Sequence, residues 1–195
     1  INPFLAWFAT AKTRNYSVAD LAAAREWAHR IVANARVREE DDSGWVPTIH
    51  HIERWWAPNR LAALSQLFAE IQAASAPVSA LDLLLIAFCR VLIDWSNAAF
   101  NHQSMSFKES RPTLFNASER ELVLDDFSLQ VMGVTRAAEA PVAGRVRVIG
   151  GDARSVDAFA AGPYDTVVTS PPYPNRISYI RELRPYMYWL GYLAD

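Results

Sequence analysis

Over most of its length the chain places apolar residues at helical spacing. Phe4, Leu5, Phe8 and Ala9 recur in that way behind Pro3, a residue tolerated in a first helical turn, so a short helix to about Thr13 is expected. Ser17-Val18-Ala19-Asp20 has the form of an acidic capping box and opens a second helix to about Val37. The mixed charges from Arg36 to Asp42, ending at Ser43-Gly44, read as a solvated loop. A further helix starts at Pro58 or Asn59 and carries Leu61, Leu64, Leu67, Phe68 and Ile71 on one face. Ser79-Ala80-Leu81-Asp82 reads as a second capping box, ahead of a helix apolar nearly all round to Trp95 and therefore expected in the middle of a bundle. From Ser96 to Pro141 the pattern weakens, with a polar loop around Asn97 to Ser106 and a helix from about Ser118 to Met132.

After Pro141 the period changes. Arg145-Val146-Arg147-Val148-Ile149 alternates, is β-branched and stops at Gly150-Gly151-Asp152, while Thr166-Val167-Val168-Thr169 stops at Ser170-Pro171-Pro172. With a short helix from Ser155 to Ala161 between them, the expectation is strand, helix, strand, the unit of a parallel sheet. Arg176 to Leu193 carries Ile180, Leu183, Met187 and Leu190 at helical spacing, with Pro185 expected to kink or restart that helix. The chain thus divides into residues 1–13, a helical insertion at 14–140, and an α/β portion at 141–195.

Composition narrows the function classes. The 195 residues are 51% hydrophobic and 21% charged with a formal net charge of -2, which suits a globular core and argues against nucleic-acid binding by bulk charge. No run of about 18 apolar residues occurs, so no membrane association is expected. The single cysteine, Cys89, excludes an internal disulfide and a cysteine-based zinc site, and its apolar helix makes it a small core residue. No metal is expected: His50-His51-x-Glu53 has no further ligand at suitable spacing and reads as a surface or helix-start feature. Trp55-Trp56 read as core or as an interdomain wedge.

Ligands of open parallel sheets bind beyond the carboxyl ends of the strands. Both expected strands end in distinctive residues, Gly150-Gly151-Asp152-Ala153-Arg154 and Ser170-Pro171-Pro172-Tyr173. Methyl transfer to an exocyclic amine needs acceptors on its N–H bonds, because the nitrogen lone pair is delocalised into the ring and must be localised before it attacks. Ser170 offers an oxygen, and Pro171 and Pro172, with fixed φ and no N–H, leave carbonyls free to point into a site. Tyr173 offers a flat face for a base extruded from a duplex. A proline-rich turn, or a polyproline ligand for another domain, is the structural alternative.

Val167 to Leu193, above all Thr169-Ser170-Pro171-Pro172-Tyr173 with Asn175-Arg176, resembles the catalytic motif of DNA amino-methyltransferases. Ser in the first motif position is similar to the cytosine-N4 branch, where Asp would indicate adenine-N6. The resemblance implies an α/β fold, a partial Rossmann-like methyltransferase sheet interrupted by the all-helical insertion, with S-adenosylmethionine as cofactor and DNA as partner. It implies Ser170, Pro171, Pro172 and Tyr173 as the catalytic pocket, Asp152 and Ala153 beside the cofactor adenine, and Asn175, Arg176 and Arg181 on the DNA. Ile1-Asn2-Pro3-Phe4 through Ala11-Lys12-Thr13 is similar to the stretch after the family's second strand, which places Asn2 and Pro3 on the cofactor side. A cytoplasmic enzyme of a restriction-modification system, paired with a cognate endonuclease, is what such a protein implies.

One departure matters. The seven glycines contain no Gly-x-Gly, so the family's cofactor loop is lacking. The chain then reads as a fragment that binds the cofactor poorly and is inactive alone. RNA or protein-amide N-methylation, and an inactive remnant or binding module, are the alternatives. Arg176, Arg181 and Arg184 interleave with Tyr179, Tyr186, Tyr188, Trp189 and Tyr192, either as a phosphate-and-base surface or as an aromatic core face backed by solvated arginines.

Overall fold

The computed structural model describes residues 2–39, 44–99, 106–107, 118–152, 155, 163–169 and 182–194. Among them are seven helices: α1 (Pro3–Thr13), α2 (Val18–Val37), α3 (Ile52–Trp55), α4 (Pro58–Ala73), α5 (Val78–Asp94), α6 (Glu119–Ala137) and α7 (Arg184–Trp189). Two short strands, β1 (Ala98–Ala99) and β2 (Ser106–Phe107), pair antiparallel with Ala98 opposite Phe107 and Ala99 opposite Ser106.

The bundle is built around α5, which touches α1, α2, α4, α6 and α7. Its sequence explains the position: Ala80, Leu83, Leu84, Ala87, Phe88, Val91 and Leu92 turn apolar side chains to several neighbours at once, and all are buried. Against it α2 lays Ala28, Ile31, Val32 and Ala35, α4 lays Leu64, Leu67, Phe68 and Ile71, and α6 lays Val123, Leu124, Phe127 and Val131, forming one continuous core. Each fully buried Leu, Val, Phe or Ile contributes on the order of 1.5–3 kcal/mol.

The α2 start forms as its sequence predicts. Ser17 Oγ accepts from the Asp20 N–H (3.1 Å) and Asp20 Oδ2 accepts from the Ser17 N–H (2.8 Å). The second capping box does not form. Helix α5 begins at Val78 with Pro77 at its cap and no side-chain cap bond; Ser79 instead donates to Asp20 across the bundle. Asp82 points inward, accepting from Trp7 Nε1 (2.9 Å) and pairing with Arg14 (3.0 Å), and so ties α1 to α5. A long-range ion pair thereby replaces a local cap, because a carboxylate on a helix buried nearly all round must find charged or N–H partners.

Helix α6 runs past Met132 to Ala137, through Gly133. Tertiary packing overrides the glycine: Thr135 is fully buried and its hydroxyl accepts from Arg25 Nε of α2 (3.0 Å). The α2 C-terminus is closed by α6. Arg120, buried, donates to the carbonyls of Ala35 (2.5 Å) and Arg38 (3.1 Å) and to Gln66 Oε1 (3.0 Å), placing a cation at the negative end of the helix.

The α/β expectation fails. The chain is mostly helical, and no Rossmann-like or parallel sheet exists among the described residues. Neither 145–149 nor 166–169 is a strand. Val146 is 50% exposed, Val167 79% and Val168 93%. Strand preference expresses the fit of a side chain to a half-buried pleated surface, and a strand exists only against a neighbour that accepts its backbone bonds. Among the described residues these two segments have no such neighbour. Of the helix expected from Ser155 to Ala161 only Ser155 is described, its N–H bonded to the Asp152 carbonyl (2.9 Å). The expected helix at 176–193 is described only from 182, where α7 begins at Arg184 with Pro185 in its first turn, the restart that proline permits. The loop expected around 97–106 is tied at its two ends by the β1–β2 ladder.

Candidate functional site

The residues that the methyltransferase resemblance singles out fall into two groups. Ser170, Pro171, Pro172, Tyr173, Ala153, Asn175, Arg176 and Arg181 lie outside the described residues. Asn2, Pro3 and Asp152 lie within them.

Asn2 caps α1. Its Oδ1 accepts from the Leu5 N–H (3.3 Å), the use that a short amide side chain makes of the unpaired N–H groups at a helix start, and Pro3 follows in the first turn. The Asn2 Nδ2 donates to the sulfur of Met187 in α7 (3.4 Å). Immediately after it, Phe4 is buried with Cys89 of α5 and Met187 of α7, and Leu183, Tyr186, Leu190, Tyr192 and Leu193 close around them. The Phe4 and Tyr186 rings stack with centroids 5.4 Å apart and planes 2° apart, and Tyr192 meets Phe4 edge-on at 6.0 Å. Two stretches at opposite ends of the sequence, residues 2–8 and 183–193, therefore share one small apolar core.

Burial sets the electrostatics there. It pushes the Tyr186 hydroxyl well above the ordinary tyrosine range, with Cys89 and Asp94 adding to the rise, and it pushes the Cys89 thiol up as well. Neither group serves as a base or a nucleophile in that condition; both are packing residues. The aromatic series that invited a base-stacking reading divides accordingly. Met187 and Trp189 are buried, Tyr186 and Tyr192 are half-buried against Phe4, and Arg184 is exposed. In residues 184–192 the core face is the outcome.

Asp152 is exposed, and its carbonyl accepts from Ser155. The donor set on the cofactor side does not fit S-adenosylmethionine in the described residues. Among the described residues Asn2 is committed to its own helix and to Met187, Pro3 has no N–H, and Gly150 borders open space. The Gly-x-Gly loop is absent from the sequence as well.

Other singled-out residues resolve plainly. Trp55 and Trp56 are buried, stacked at 5.8 Å, and Trp56 Nε1 donates to the Leu92 carbonyl (2.9 Å), so they are core. His50 and His51 are exposed; His51 caps α3 at φ 53° and its Nδ1 lies 2.8 Å from Glu53 Oε1. Among the described residues no three His, Cys, Asp or Glu side chains gather as a metal site, and no helix is long and apolar enough to cross a membrane.

Sequence reasoning missed the polar anchors Asp82, Arg60 and Arg120. Arg60 is half-buried, donates to Glu119 Oε1 (2.6 Å) and lies 5.6 Å from the Trp95 ring centre. The signal available for Asp82 was its place as a carboxylate within the apolar run of α5, away from the helix end that Asp94 occupies. No protein-family model matches the chain, and comparison with curated proteins and with solved structures finds no match.

Proposed function

We propose that the chain is part of an S-adenosylmethionine-dependent DNA methyltransferase that modifies an exocyclic amine, cytosine N4 by the serine in Ser170-Pro171-Pro172-Tyr173. The observation that carries the reading is the contact between Asn2 and Met187 with the Phe4 cluster around it. The sequence stretches that resemble the enzyme family flank a long helical insertion, and packing of 2–8 on 183–193 draws those flanks together. In this reading the target base leaves the duplex and stacks on Tyr173. Ser170 and the Pro171 carbonyl would accept its amino N–H bonds and so localise the nitrogen lone pair, and the cofactor, when bound, would supply the methyl group. Asn175, Arg176 and Arg181 hold the DNA. The setting is the cytoplasm, in company with a cognate restriction endonuclease.

A second reading, an inactive remnant or binding module, is favoured by one observation: the described cofactor-side residues form no cradle. Labelled-methyl incorporation into DNA, RNA and protein by the natural polypeptide containing this chain separates these possibilities. Label in DNA that disappears in Ser170→Ala and Tyr173→Ala, with DNA binding retained, supports the proposal. Label confined to RNA or protein transfers the same pocket to another acceptor, and no label in any of them leaves the binding-module reading.

A further inference from the structure

A groove of about 570 Å³ runs between α2 and α6. Its floor is apolar, with Ala28 from α2 and Val131, Met132 and Gly133 from α6, and its polar lining includes Arg25, His29, Arg136 and Glu139. Two independent features mark it. Gly133 lies inside a helix, where glycine is the least favourable residue after proline, yet a Cβ there meets nothing within 4 Å. The fold makes no steric demand for glycine at this point, which borders the open groove. The second feature is charge. The Arg25 guanidinium is occupied by Thr135 and by Glu139 (2.8 Å), whereas the side chains of His29 and Arg136 have no partner among the described residues. A guanidinium and an imidazole with free donors therefore stand over an apolar floor.

We propose that this groove binds a small anionic amphiphile, its apolar body on Ala28, Val131, Met132 and Gly133 and its carboxylate, sulfonate or phosphate head on Arg136 and His29. The volume lies in the range of small-molecule sites, which are mostly apolar with a few placed polar groups. The apolar floor is short. On α6 it covers only Val131 to Gly133, about one turn, between the ion pairs of Arg36 with Glu121 and Asp125 at one end and of Arg25 with Glu139 at the other. That length suits a small molecule better than a partner helix. The proposal is independent of the methyl-transfer reading.

Titration of the full chain with anilinonaphthalene sulfonate, an aromatic anion, followed by displacement with decanoate, an aliphatic one, tests the site. One-to-one binding is expected, weakened about tenfold or more in Arg136→Gln and abolished in Gly133→Leu, with thermal unfolding unchanged in the first and no lower in the second. Displacement by decanoate shows that aliphatic bodies share the site, and failure of displacement restricts it to aromatic ones. If Gly133→Leu does not fold, Met132→Glu, at a position 62% exposed, opposes the head group without touching the core and should abolish binding equally. Undiminished binding in the variant that folds, equal binding of neutral phenylnaphthylamine, or no binding of either anion overturns the proposal.

Discussion

The helical bundle and the segments at 145–149 and 163–169 make opposite uses of apolar residues. In the bundle Leu64, Leu84, Leu124 and Phe88 are completely buried, whereas Val167 and Val168 of the second region are almost bare. Both regions have clear periodic patterns, so pattern alone does not separate them. The difference lies in where the backbone bonds go. A helix satisfies its N–H and C=O groups within itself and only then seeks cover for one face. A strand-like segment needs a second segment for its backbone bonds before its side chains have anything to cover. Period-3.6 segments here found cover from one another; period-2 segments did not.

The contrast is broken most severely at its buried end. Trp189 is fully buried, ringed edge-to-face by Trp45, Trp56, Phe68 and Phe88. Trp189→Ala should cost about 3–5 kcal/mol in urea unfolding. Its Nε1 is buried with no hydrogen-bond acceptor among the described residues, so Trp189→Phe should cost far less than the alanine change. Equal losses in the two variants would show that the indole N–H has a partner after all.

Next in size is Arg120, whose removal takes one donor each from the Ala35 and Arg38 carbonyls and from Gln66 Oε1. Arg120→Leu should destabilise by about 2 kcal/mol, seen as a shifted denaturant midpoint with unchanged slope.

The α2 cap comes third. Ser17→Ala should cost about 1 kcal/mol. The same motif sets an acid dependence, because hydrogen bonds from Ser17 and then Ser79 hold the Asp20 carboxyl below its ordinary pKa of 3.8. A carboxyl depressed in the folded state contributes stability above its unfolded pKa and loses it as pH falls through the folded value. Acid unfolding curves of the native chain and Asp20→Asn should therefore diverge above about pH 4 and converge below it. Curves that stay parallel down to the lowest pH would remove Asp20 from the cap. Asp94 has the opposite sign: burial first, and then Asp126, raise its carboxyl, so it opposes folding when ionised and Asp94→Asn should help at neutral pH.

The smallest effect sharpens the other side of the comparison. Val168→Thr should change stability by less than about 0.5 kcal/mol, as exposed substitutions do. A loss as large as that of a core valine would mean the segment is covered in solution.

Much of the bundle was legible in advance. The starts of α1, α2 and α4, the burial of α5 and the core positions of Cys89, Trp55 and Trp56 follow from proline placement, one capping box and apolar spacing, all local signals. Asp82 was misread because a Ser-x-x-Asp string looks the same whether the carboxylate caps its own helix or reaches Trp7 and Arg14, which are distant in sequence. The end of α6 was misjudged because Gly133 weakens the local pattern while Thr135 and its bond to Arg25 maintain the helix. Of the candidate site, the sequence suggested residue types; the meeting of Asn2 with Met187 was invisible, since no periodicity relates positions so far apart.

What the sequence determined by itself is the set of segments able to close their own hydrogen bonds, and the order of functional groups along the chain. Tertiary structure alone decided which polar side chains became buried anchors, which stretches remote in sequence came to share a core, and that Val146, Val167 and Val168 stay exposed. Those outcomes depend on partners remote in sequence, and the energy of a contact is set by what arrives opposite it.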